Sequence, residues 1–161
     1  MKPFSFERTQ VLPMDLEQAW SFFCDPANLA RITPPSMEFR LTSSPRGEIH
    51  PGMILTYSLR PLFGIKVDWT TEITHLQKPF FFIDEQRFGP YRFWHHQHHF
   101  RQVDDGIEMY DLVHYLLPHM QFTRLVNRCL VAPKLKRIFD FRQRALQEIF
   151  PVKGSSGTNP T

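Results

Sequence analysis

Cysteine is scarce in this chain. Cys24 and Cys129 stand far apart and without a Cys-x-x-Cys spacing, which excludes a disulfide framework, a zinc knuckle and a thioredoxin-like redox pair, and leaves two buried thiols in a reducing compartment as the expectation. Long apolar runs are also missing. No window approaches the ~18 residues of a membrane-spanning helix, and Met1-Lys2-Pro3-Phe4-Ser5-Phe6-Glu7-Arg8 has no hydrophobic signal core. No integral membrane association is expected, and the expected location is cytoplasmic. Glycine-rich phosphate loops, dinucleotide fingerprints and H-E-x-x-H are absent, and neither cysteine nor any serine sits in an activating motif. The charge excess is only +3. The aromatics recur at strand and helix periods rather than beside a basic patch, so no nucleic-acid partner is expected.

Apolar material, by contrast, is plentiful: 16 Phe, 3 Trp and 42% hydrophobic residues among 161 suffice for one well-cored domain. We place it over residues 1–152. Residues 153–161 have no apolar content to offset ordering and are expected to be a disordered tail.

Period two over residues 3–11 predicts a first strand. Asp15-Leu16-Glu17-Gln18 has the form of a capping box opening a helix through Trp20, Phe22 and Phe23, and Asp25-Pro26 both stops it and starts a short second helix that ends at Thr33-Pro34-Pro35. Six stretches of alternating polarity follow, near 37–42, 53–60, 65–76, 80–88, 91–103 and 107–117, separated by short Pro- and Gly-containing turns that imply an antiparallel meander. After Pro118 the period becomes helical, with Leu135, Ile138, Phe139, Ala145, Leu146 and Ile149 on one face. Pro133 predicts a separate or kinked segment before that helix.

Strand, two short helices, six antiparallel strands and a long C-terminal helix is the element order of the α+β helix-grip fold, a curved seven-stranded sheet around its last helix. Asn28-Leu29-Ala30-Arg31-Ile32-Thr33-Pro34-Pro35, Phe82-x-Asp84-x-Gln86-x-x-Gly89-Pro90-Tyr91, Trp94-x-His96-x-His98-x-Phe100 and Asp111-x-Val113-x-Tyr115-x-x-Pro118 resemble the SRPBCC (START/polyketide-cyclase-like) superfamily. Within it, the likeness is to small bacterial ligand-binding proteins sometimes labelled cell-division-inhibitor-like, over about residues 3–150. The resemblance implies a cavity between sheet and C-terminal helix. It does not choose among carriers, binders, cyclases and oxygenase domains, and it carries over no catalytic residue.

Four histidines crowd into residues 95–99. On a strand they split by parity: Trp94, His96, His98 and Phe100 share one face, and His95, Gln97 and His99 the other. If Asp105-Gly106 is a two-residue turn, Asp104 pairs with Ile107 and His98 stands opposite Val113, with Asp111 diagonal to it and on the same face, whereas a three-residue loop would bring Tyr110, Leu112 and His114 to that face instead. Arg142 falls mid-face on the C-terminal helix and needs a partner, either Asp84, Asp111 or a ligand's acidic group. The predicted pocket wall is aromatic from Phe39, Tyr57, Trp69, Phe82, Trp94 and Phe100, and polar from Asp84, Gln86, His96, His98, Asp111, Tyr115 and Arg142.

Such a wall fits binding, transport or sequestration of a hydrophobic, amphipathic or lipid-like small molecule by a monomer or homodimer. The alternative is a cyclase, dehydratase or isomerase using His96 or His98 with Asp111 as an acid–base pair. His-x-His with Asp111 also has the composition of a two-His-one-carboxylate metal set; neighbouring polar strand residues more often bond each other, and neither metal nor other cofactor is expected. On the outside, His95 and His99 with Lys134, Lys136, Arg137 and Arg144 read as a solvated face, or as a contact with an anionic membrane or partner.

Overall fold

The computed structural model describes residues 2–45, 47–61, 64–118 and 122–151; the segment expected to form a disordered tail lies outside them. Seven strands form one antiparallel sheet in the order β1-β7-β6-β5-β4-β3-β2. They are β1 (Phe4–Leu12), β2 (Arg40–Leu41), β3 (Ile54–Leu59), β4 (Val67–Gln77), β5 (Phe81–Phe88), β6 (Phe93–Val103) and β7 (Gly106–Leu116). Each strand from β2 onward neighbours the next, and β1 closes against β7 with Phe4 opposite Tyr115 and Leu12 opposite Ile107. Alternation decides the faces: along β7, Ile107, Met109, Asp111, Val113 and Tyr115 are buried and the residues between them are not.

Helix α1 (Leu16–Phe23) begins with the capping box read from sequence. The Asp15 side chain accepts from the Gln18 N–H at 2.8 Å, and Gln18 Oε1 accepts from the Asp15 N–H at 3.2 Å. Its apolar face sets Trp20 edge-on against Phe82 and Phe100. The second short helix is a 3₁₀ segment, Pro26–Ile32, capped by Asp25. The first predicted meander strand is largely displaced. Pro35–Met37 is a 3₁₀ turn and Glu38 adopts φ 44°, so only Arg40–Leu41 pairs with β3; prolines in succession favour the turn over extension.

The β6–β7 hairpin differs from the sequence reading. Val103 pairs with Gly106, so the turn is Asp104-Asp105 and the register moves by two residues, placing His98 opposite Asp111 and His96 opposite Val113. Two is the strand period, so the faces are unchanged. Gly106 is a strand residue required by close approach: at φ 133° its hydrogen takes the place of a Cβ that would lie 2.1 Å from the Leu12 carbonyl oxygen.

At the C-terminus, α2 (Thr123–Val126) runs through a π turn, Asn127–Val131, into α3 (Ala132–Ile149). Pro133 cannot donate to the carbonyl four residues back, and the expected separate segment before the long helix is present as α2, joined to α3 through a widened turn. Cys129 lies on the exposed side of this turn, contrary to expectation, whereas Cys24 is buried. Helix α3 is fixed to the sheet near its middle by Arg8, which pairs with Asp140 and donates to Gln143, and by Phe6 against Phe139 at 4.7 Å. Its C-terminal part packs Ala145 and Leu146 into the core around Trp20.

Candidate functional site

Between the sheet, α3 and the 3₁₀ segment lies a cavity with about 180 Å³ open to the centre of a water molecule. Strand β4 carries register shifts at Thr70/Thr71 and Ile73/His75, and such irregularities bend a strand away from a flat sheet. Of the residues proposed from sequence, Phe39, Tyr57, Trp69, Phe82, Asp84, Trp94, His96, His98 and Arg142 line this cavity. Gln86, Phe100, Asp111 and Tyr115 do not; they stand behind its wall.

Those four have identifiable work. Gln86 donates to the Tyr91 carbonyl at 2.6 Å and accepts from the Tyr91 N–H at 3.2 Å, holding the turn that follows β5. Gly89, φ 157°, makes room for it, since a Cβ there would meet Gln86 Oε1 at 2.5 Å. The Gln86-x-x-Gly89-Pro90-Tyr91 string is therefore a device that delivers the Tyr91 ring to the cavity, 4.8 Å from Trp94 and 5.5 Å from Trp69. Phe100 packs beneath Trp20, Phe23 and Phe82. Tyr115 donates to Asn127 Oδ1 at 2.8 Å, tying β7 to the π turn.

Asp111 is fully buried and sits behind two imidazoles. His96 Nε2 donates to Asp111 Oδ1 at 3.1 Å. His98 Nε2 donates to Asp84 Oδ2 at 2.9 Å, while His98 Nδ1 lies 2.9 Å from Asp111 Oδ1 without the alignment of a hydrogen bond. His96 Nδ1 is 3.4 Å from Asp84 Oδ2. Strand pairing produces this square: Asp84 is opposite His96 on β5–β6, and His98 is opposite Asp111 on β6–β7. The rings are 3.7 Å apart, and Phe82 stacks on His98 at 4.2 Å.

Burial disfavours charge on all four groups, yet the pairing outweighs it at three. His98 is raised above the ordinary histidine value despite burial, because Asp111 and Asp84 stabilise its charge. His96 is lowered, by burial first and by the charge of His98 next. Asp84 and Asp111 are held below the usual carboxylate range: burial alone would raise them, and the imidazoles beside them win. Within the pair of imidazoles, charge is therefore favoured on His98 over His96.

Asp84, His96 and His98 also bring one donor atom each within 4.8 Å of one another, compact enough to hold a cation. The carboxylate in that trio is Asp84, where the sequence reading put Asp111. Arg142 finds neither expected carboxylate. It makes no ion pair or hydrogen bond with Asp84 or Asp111, which contact the imidazoles, although its charge helps to hold Asp84 ionised; its Nε has no hydrogen-bond partner among the described residues, and its Cζ lies 4.9 Å over the Phe139 ring. On the opposite face, His95 meets Glu85 at 2.7 Å, and Gln97 links His95 to His99 at 3.0 Å each, so these histidines form a surface ladder apart from the cavity.

Sequence reasoning missed the contribution of the α1 end and the 3₁₀ segment, where Phe22, Phe23, Leu29 and Ile32 close one side. It also missed Tyr91. A strand pattern identifies which residues share a face, but a loop folding back over the sheet leaves no periodicity to read.

No family model matches the chain, and no curated protein matches it in sequence. Solved structures do match in fold. A Chromobacterium violaceum protein, CV1439, superposes with a TM-score of 0.71 at 12% identity, over 92% of this chain and 98% of that one. The protein TTHA0849 from Thermus thermophilus gives 0.71 at 15% identity, over 96% and 100%. A Mycobacterium smegmatis protein described as belonging to the START superfamily gives 0.69 at 8% identity, over 90% and 98%. At these identities the likeness is one of architecture. With its seven-stranded antiparallel sheet, short helices after β1 and long C-terminal helix, the chain has the START/SRPBCC-type helix-grip fold.

Proposed function

We propose that this protein binds a hydrophobic or amphipathic small molecule in the cavity between the sheet and α3, as a carrier or sequestering protein. The supporting observation is the wall: aromatic and aliphatic side chains dominate it, and its few polar groups converge on one region around Asp84, His96, His98 and Arg142. Apolar walls supply affinity and a few fixed polar groups supply orientation. The neutral fluorophore N-phenyl-1-naphthylamine tests this directly. Binding at one site per chain, lost when Ile138 on the cavity wall is enlarged to Trp, is the expected result; no binding, or binding unchanged in Ile138→Trp, refutes it.

A second reading draws on the carboxylate–imidazole square. Imidazoles oriented by buried carboxylates and open to a cavity are suited to moving a proton on a bound carbonyl compound, as a cyclase, dehydratase or isomerase does. Molecules extracted from wild-type protein and from His98→Gln separate the readings. A different molecule accumulating in the variant supports catalysis, and the same molecule at altered occupancy supports binding alone.

A further inference from the structure

Arg142 is 9% exposed and projects from α3 into the cavity wall. A guanidinium so placed requires acceptors, because its desolvation is otherwise uncompensated. Its Nε has none among the described residues. The two nearby carboxylates are spoken for: Asp84 lies within ion-pair distance of both imidazoles, and so does Asp111. Phe139 supports the guanidinium plane from one side and offers it no acceptor. The Arg142 side chain lines the cavity, so a ligand there is within reach of a guanidinium that makes no hydrogen bond to a described residue.

The charge of that ligand follows from what surrounds it. Arg142 is the single Arg or Lys among the described lining residues, and Asp25 and Asp84 also line the cavity. One guanidinium beside carboxylates, with His98 already held between Asp84 and Asp111, suits a group with one negative charge and disfavours a phosphate dianion. A planar fork of N–H donors matches a planar pair of oxygens.

We propose that Arg142 anchors the carboxylate of an amphipathic carboxylic acid whose apolar body fills the rest of the cavity. This rests on the cavity-binding reading above and narrows it to one ligand class. Orientation follows as well. The acid end lies at α3, beside the carboxylate–imidazole square, and the body extends over the aromatic wall of Tyr57, Trp69, Tyr91 and Trp94.

The test uses matched probes: 2-naphthoate, 4-phenylbutyrate and decanoate, each with its methyl ester, titrated at neutral pH and read by tryptophan fluorescence and melting temperature. Wild-type protein should bind each acid that enters the cavity at least about ten-fold more tightly than its ester, the scale of a charge-assisted hydrogen bond. Arg142→Gln should remove that gap, read as the acid-to-ester affinity ratio within the variant itself. Arg142→Lys, which keeps the charge and loses the fork, should retain a reduced gap, and it carries the test if the Gln variant does not fold. Acids and esters binding equally to wild type, or a gap that survives in Arg142→Gln, overturns the anchor while the cavity reading stands. Failure of the probes and of N-phenyl-1-naphthylamine together overturns both.

Discussion

His98 and Asp111 face each other across paired strands, and their stability consequences run in opposite directions with pH. Asp84 and Asp111 stay ionised to lower pH in the fold than in the unfolded chain. Their contribution is complete above the ordinary Asp range and is lost as pH falls below about 4, at ~1.4 kcal/mol per pH unit for each carboxylate. His98, raised in the fold, contributes fully below about 6.5 and loses that contribution as pH climbs through its folded value. Urea unfolding of Asp111→Asn between pH 2 and 5 should therefore show a shallower acid dependence than wild type, by about one proton; equal slopes contradict the pairing. Asp111→Ala, which takes the buried acceptor from His96 and one of two carboxylate neighbours from His98, should lose about 3–5 kcal/mol. The parity of the four histidines was legible because a strand period of two admits only two faces. Which carboxylate would meet which imidazole was not, because that depends on register: Asp84 and His96 are joined by pairing between β5 and β6 that no turn motif announces.

Among the elements, the hairpin and the β5–β6 turn are set by two glycines for steric reasons rather than by flexibility. Gly106→Ala would drive a Cβ into the Leu12 carbonyl at positive φ, and the expected loss is more than about 1 kcal/mol, read as a lowered urea midpoint. Gly89→Ala would expel the Gln86 amide from its place over the turn, releasing Tyr91 from its two hydrogen bonds. The expected outcome is a changed fluorescence spectrum of Trp94 and Trp69, which Tyr91 touches, with melting lowered less than in Gly106→Ala. Strand and helix positions were readable from polarity period and capping chemistry, down to the Asp15–Gln18 box. The 3₁₀ turn at Pro35–Met37 in place of a strand escaped because it is a backbone response to proline, whereas Pro133 did announce a separate segment before α3, with only the π form of the junction left unread.

At the scale of the whole molecule, an apolar interior large enough for one core is divided, part packing around Trp20 and part lining a space left open. Composition reported the quantity of apolar surface and could not report that division, which arises from where α3, the 3₁₀ segment and the Tyr91 turn come to rest on the sheet. Among the described residues, no helix is long and apolar enough to cross a membrane. A protein that keeps a cavity without a ligand forgoes packing it could otherwise have made, and occupancy by a ligand at one hundred times its dissociation constant should add about 2.7 kcal/mol, seen as a higher melting temperature. The measurement that bears most directly on the account is native mass spectrometry of the protein as isolated from cells, with Ile138→Trp in parallel. A small molecule of reproducible mass, bound once per chain and absent from the filled-cavity variant, is the predicted result. Bare protein alone in every preparation, with no melting response to any hydrophobic acid or ester, would contradict it.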